Sequence, residues 1–262
     1  MKGVRIKNEK IVRIGTWNTK QGVAPRQKAP VLWDWIARVT NADVLVLTEA
    51  KVPKEGLPTG WTAIYTPGGL EKRKPWGTIV AARGFELRRT EFHRRRTRSE
   101  SGRPNPNTTF AVDILSEGVA VLRVIGAYAL LGGTGSGATE MSLILNECED
   151  VIRDHGADRL VVAGDFNLWP SYVSRDFKQI GLVDVTGSRN SFPVLDSPVG
   201  QSRIWTHKNG PRQSNGARQE IDFVFVSKDL AKSMFDIMGG VDDYPDAWDM
   251  SDHAPVVVSV VS

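Results

Sequence analysis

Asp165 and Asn167 stand two residues apart at the end of an apolar run, Leu160-Val161-Val162-Ala163-Gly164. A run of that length reads as a buried strand, and in an extended chain residues i and i+2 point the same way, so a carboxylate and a carboxamide reach one site together. Gly, Asp and Asn are also ordinary turn formers, and this stretch alone bears a turn reading equally well. The pattern repeats, however. Asn18 closes an alternating run on the face of Val12 and Ile14, and Glu49 closes Val44-Leu45-Val46-Leu47-Thr48 on the face of Leu45 and Leu47. Asp222 shares a face with Val224 and Val226, Tyr128 arrives late in an apolar segment, and Asp252-His253 directly precede the apolar run 256–261.

The set Asn18, Glu49, Tyr128, Asp165, Asn167, Asp222, Asp252 and His253 is dominated by oxygen ligands, with one imidazole and no thiol. That selects a hard cation, Mg²⁺ or Mn²⁺, over zinc. Such an ion keeps several waters and prefers phosphate oxygens as further ligands, which is the chemistry of a phosphoester site. Hydrolysis of a phosphodiester needs a Lewis acid, a base for the attacking water and donors for the developing charge, and these residue types cover each part. A general base contributes roughly 10²- to 10⁴-fold. A serine-hydrolase reading is less attractive, since no Gly-x-Ser-x-Gly elbow accompanies the histidine.

The elements that must position these groups follow from periodicity. Strands are expected over residues 11–19, 44–49, 61–65, 78–82, 110–115, 119–130, 160–165, 221–227 and 256–261. Helices are expected where Val31, Leu32, Trp35, Ile36 and Val39 recur, where Met141, Ile144, Leu145, Cys148, Val151 and Ile152 recur, and over residues 171–180. Residues 187–220 read as a long polar loop interrupted by Ile204-Trp205-Thr206, of a size more often a functional rim than filler.

The chain has 262 residues, 40% of them hydrophobic, enough for a full core, and no linker composition divides it, so one domain over residues 1–262 is expected. The lone cysteine, Cys148, excludes an internal disulfide framework and is expected in the core. No segment resembles a signal peptide or approaches membrane-spanning length, which points to a cytoplasmic protein without a membrane partner. The formal charge of +4 fits a polyanionic partner. Residues 83–103 carry eight arginines against three glutamates. Arg94, Arg95, Arg96 and Arg98 are either a solvated face or a phosphate-binding stretch, and Trp169, Trp205 and Trp248 either stack on bases or lid the core.

Six pieces, Thr16-Trp17-Asn18, Leu47-Thr48-Glu49-Ala50-Lys51, Gly126-Ala127-Tyr128, Gly164-Asp165-Phe166-Asn167, Ile221-Asp222-Phe223-Val224-Phe225-Val226-Ser227 and Ser251-Asp252-His253-Ala254-Pro255, together resemble the endonuclease/exonuclease/phosphatase superfamily of DNase I-like and exonuclease III-like enzymes. The resemblance implies a four-layer α/β sandwich, two mixed β-sheets face to face with helices outside and the site at one end. It implies Glu49 as principal metal ligand with Asn18 and Asp252 near it, and Asp165 and Asn167 on the water and phosphate. It also implies His253 facing the phosphate with Asp222 orienting it, and Tyr128 touching phosphate or leaving oxygen. Arg94, Arg95, Arg96, Trp169 and Trp205 are the expected substrate contacts. The implied activity is Mg²⁺-dependent cleavage of DNA or RNA. The alternatives are a phosphatase for a small substrate such as a nucleotide or inositol phosphate, or a non-catalytic binding protein. Thr48 stands where abasic-site enzymes carry Gln, and Asn18-Thr19-Lys20-Gln21-Gly22 departs from their Asn-x-Asp-Gly, so abasic-site specificity is not implied.

Overall fold

A computed structural model describes residues 10–20, 29–67, 77–93, 109–129, 137–168, 170–186, 204–208 and 218–261. In chain order these form β1 (Ile11–Asn18), α1 (Ala29–Trp35), β2 (Val44–Ala50), β3 (Trp61–Pro67), β4 (Gly77–Arg83), β5 (Glu86–Arg89), β6 (Thr109–Ser116), β7 (Val119–Tyr128), α2 (Gly137–His155), β8 (Leu160–Asp165), α3 (Pro170–Gln179) and β9 (Leu182–Asp184). They continue with β10 (His207–Lys208), β11 (Arg218–Gln219), β12 (Asp222–Ser227), α4 (Lys228–Ser233), β13 (Met234–Gly239), α5 (Gly240–Asp243), α6 (Ala247–Met250) and β14 (Val256–Val261).

Two six-stranded sheets carry the fold, one ordered β13-β14-β1-β2-β4-β3 and the other β5-β6-β7-β8-β12-β9, with β10 and β11 paired apart from them. Both are mixed: β1 runs parallel to β2 and antiparallel to β14, and β7 runs parallel to β8, which is antiparallel to β12. Their centres consist of β-branched and small residues buried on both sides, as sheets covered on both faces require. Val12, Ile14, Val44, Val46 and Val80 from the first sheet meet Val112, Val124, Val161, Ala163 and Val224 from the second in one inter-sheet core.

The outer faces are covered by helices. Trp17, Leu45, Leu47 and Ile79 pack under Leu32, Trp33, Trp35 and Ile36. Ile125, Val162, Phe223 and Phe225 pack under Met141, Ile144, Cys148, Val173 and Phe177 of α2 and α3. The result is the expected α/β sandwich, with Cys148 fully buried in the second outer layer.

The first helix differs from its sequence reading. Val31 and Val39 are 64% and 41% exposed, whereas Trp33 is 1% exposed. Residues Ile36–Thr40 form a π-helical turn that shifts the phase of the stripe, and the inward face is set by the large indole surfaces.

Candidate active site

Antiparallel and parallel neighbours bring the polar strand-ends to one edge. Tyr128 lies opposite Asp165 in the β7–β8 ladder and Asp222 lies opposite Asp165 in the β8–β12 ladder, so one row of the second sheet carries all three. In the first sheet Asn18 is beside Thr48, and the Thr16–Val256 pairing brings the chain ahead of β14 back to the end of β1. There the Ser251 hydroxyl donates to the Asn18 carbonyl at 2.7 Å, and the Trp17 indole N–H donates to the His253 carbonyl at 2.9 Å.

Glu49 reaches this edge by a route that alternation does not reveal. On a regular strand it would share the outer face of Leu45 and Leu47. The β2–β4 ladder holds through Leu47–Ile79 and resumes only at Ala50–Gly77, and Glu49 sits at φ 48°. The extra residue is a bulge, which turns the side chain to the inner face. Gly164 has a different role: a Cβ there would lie 1.7 Å from the Ala127 carbonyl oxygen, so only glycine lets β7 and β8 approach in front of Asp165.

The contacts at the site run between the sheets. Asn18 Nδ2 donates to Asp165 Oδ2 at 2.7 Å and lies 3.4 Å from Glu49 Oε1. The Tyr128 hydroxyl donates to Glu49 Oε1 at 2.8 Å, and His253 Nδ1 is 2.7 Å from Asp222 Oδ2. Asp165 also accepts from the Asn167 backbone N–H at 2.9 Å and from Asn167 Nδ2 at 3.1 Å. Each buried carboxylate thus meets donors that favour its charged form.

These groups perturb one another. Burial and the neighbouring Asp222 raise Asp165 above the usual carboxylate range, against the pull of His253 and Asn18. Burial disfavours charge on His253, but Asp222, with Asp165 and Asp252 behind it, outweighs burial and raises the imidazole to about 9. Burial, Glu49 and Asp165 push the Tyr128 hydroxyl far above its ordinary value, so it stays a donor. Burial raises Asp252, yet His207, Lys20 and His253 together hold it well below the usual range.

Asp252 borders the two histidines of this edge. It is ion-paired with Lys20, 3.7 Å from His207 Nε2 and 4.0 Å from His253 Nε2. His207, Asp252 and His253 offer ligand atoms within 4.8 Å of one another, as do Asp165, Asp222 and His253. His207 was not singled out from the sequence. It sits on the two-residue strand β10, bridges to His253 through the backbone, and holds its ring 4.5 Å from the His253 ring with Nδ1 3.0 Å from Gln219 Oε1. Its signal in the sequence is its place directly after Ile204-Trp205-Thr206. Thr206 ties that strand down: its hydroxyl accepts from the N–H groups of Ile221 and Asp222, and its carbonyl accepts from Ala254.

Asp222 Oδ1 and Asp252 Oδ1 are buried without a hydrogen-bond partner among the described residues. Glu49, whose partners Asn18 and Tyr128 are both neutral, leaves a negative charge at this edge that fits a hard divalent cation. Glu49 and Asn18, with Asp165 adjoining, are the residues that could hold one.

The expected substrate contacts are partly covered. Arg94, Arg95, Arg96, Arg98 and Trp169 lie outside the described residues. Trp205 is half-buried, with its backbone against Gly240 and its carbonyl accepting from Val241. Trp248 packs on the outer cluster beneath Lys208 and Arg218, whose charged groups lie 5.3 Å and 5.7 Å from its ring centre.

Comparison with known proteins agrees with this fold. An AP endonuclease from Archaeoglobus fulgidus superposes with a TM-score of 0.68 at 17% identity, over 94% of this chain and 98% of that one. A 3′ phosphatase, NExo, from Neisseria, solved bound to product DNA hairpin, gives 0.65 at 18% identity over 94% and 98%. Truncated TDP2 from Caenorhabditis elegans gives 0.64 at 14% identity over 96% and 98%. No curated protein matches the sequence. At these identities the likeness establishes the fold, but the sequence profile described as Endonuclease/Exonuclease/phosphatase family matches residues 15–253, every polar strand-end included. The chain therefore belongs to the Endonuclease/Exonuclease/phosphatase family.

Proposed function

We propose that this protein is a divalent-metal-dependent phosphodiesterase that hydrolyses nucleic acid. The observation that carries the reading is the Asn18–Asp165–Asn167 cluster set against the His253–Asp222 pair, a base and a cationic donor held at one edge by separate hydrogen bonds. A bound Mg²⁺ or Mn²⁺, held by Glu49 and Asn18, would polarise a phosphate oxygen.

The remaining parts are side-chain chemistry. Asp165, fixed by three donors and raised toward neutrality, takes the proton of the attacking water. His253, kept protonated by Asp222, faces the phosphate as a cation and donates to the charge that develops on it. Both groups are raised by their surroundings, and the imidazole stays the more basic of the two. Tyr128, anchored on Glu49, offers a contact near the leaving oxygen. Arg94, Arg95, Arg96, Trp169 and Trp205 are candidate contacts for the strand on either side of the cut.

Nucleic acid is favoured over a small monoester by the net charge of +4 and by a DNA hairpin bound to a protein of the same fold. The test is cleavage of labelled single- and double-stranded DNA, RNA and an abasic duplex with Mg²⁺ or EDTA, beside Asp165→Asn and Glu49→Gln. Mg²⁺-dependent cleavage lost by about 10³-fold in each variant is expected. Unchanged rates in both variants would sink the site assignment. Affinity for a polynucleotide should also fall steeply with salt, and affinity for a small phosphate ester much less.

A further inference from the structure

We propose that Lys20 is a built-in cation of the site: it occupies the Asp252 side permanently, so that the protein takes a single divalent ion, at Glu49, and not two. The inference rests on the metal-dependent reading above and concerns how the charge of that site is shared between a protein side chain and a bound ion.

The two acidic halves of the edge are furnished differently. Glu49 meets a carboxamide and a phenol, neither of which carries positive charge. Asp252 meets an ammonium in direct contact and has two imidazoles within 4.0 Å. A divalent ion gains most where negative charge is uncompensated and least where a cation already stands. Among the described residues, the Glu49 half is therefore open to an ion and the Asp252 half is closed to one.

The backbone shows that Lys20 is placed rather than accidental. It lies at φ 48°, a region costly for a residue with a Cβ, and its N–H donates to Asn18 Oδ1 at 2.9 Å. Asn18 thus does two things with one carboxamide. Its Nδ2 reaches Glu49 and Asp165, and its Oδ1, the atom that could meet a cation, also accepts from the N–H of the turn that sends the Lys20 side chain to Asp252. Lys20 is also 44% exposed against 24% for Asp252, and an ammonium has three donors, so those not spent on Asp252 remain for a substrate phosphate.

Stoichiometry decides the matter without reference to turnover. Chelator-stripped protein is titrated with Mn²⁺ in a calorimeter, with thermal melts to confirm that each variant is folded. Wild type is expected to bind one ion per chain, Glu49→Gln to lose it, and Lys20→Arg to stay at one. Lys20→Ala and Lys20→Gln, of which either suffices if the other does not fold, should bind two, the second lost again on adding Asp252→Asn. Two ions on wild type, or one on both Lys20 variants, overturn the assignment to Lys20 and leave the metal reading standing. No Mn²⁺ on folded wild type overturns both.

Discussion

His253 illustrates how one contact sets the behaviour of a residue. Its 2.7 Å partner Asp222 is fully buried, so the carboxylate acts through little water and holds the imidazole protonated to about 9. Because the folded value lies above the ordinary 6.5, the pair stabilises the folded chain fully below about 6.5 and loses that contribution as pH rises through about 9. Cleavage that needs the imidazolium should show an alkaline limb in the same range. Asp222→Asn keeps a hydrogen-bond partner but removes the charge, and the limb should move down by at least about one pH unit. A pH–rate profile unchanged in that variant would remove His253 from the cationic role.

At the scale of elements, the two sheets place the site by ending where they do. Gly164 is the tightest point: a Cβ would drive into the β7 backbone at the row that also holds Tyr128 and Asp165. Gly164→Ala should cost at least about 3 kcal/mol in urea denaturation, because backbone, not a flexible side chain, would have to move. A cost within about 0.5 kcal/mol, the range of an ordinary surface change, would show that the close approach is not maintained in solution.

This scale also separates what the sequence reveals from what it hides. Asn18, Asp165 and Asp222 were legible because each ends or begins an apolar strand on which a period of two assigns the face. Regular alternation puts Glu49 on the face of Leu45 and Leu47, whereas a single inserted residue reverses it and leaves no mark in the apolar pattern. His207 was missed because it lies on a two-residue strand inside polar sequence, where no period can develop. The edge strand β13 was missed as well: Phe235 and Met238 are exposed on it, so its apolar residues do not report a single buried face.

For the whole molecule, the three layers of packing differ in what they protect. Cys148 lies fully buried under α2, and burial pushes its thiol far up, so it is neither nucleophilic nor reachable while the second outer layer is closed. A thiol reagent should label native protein no faster than the chain unfolds, with labelling accelerated in denaturant in step with loss of ellipticity. Rapid native labelling would mean that α2 lifts from its sheet without global unfolding.

The short strands β10 and β11 have a further consequence. Thr206 binds the start of β12 and the chain before β14, and Gln219 bonds back to both Thr206 and His207, so residues 204–208 and 218–222 are clasped to one another and to His253. The segment between them is closed at its base before its own sequence matters, and lengthening a closed loop costs only about 0.6 kcal/mol per doubling. Insertions between Lys208 and Arg218 should therefore leave His207 and His253 where they are.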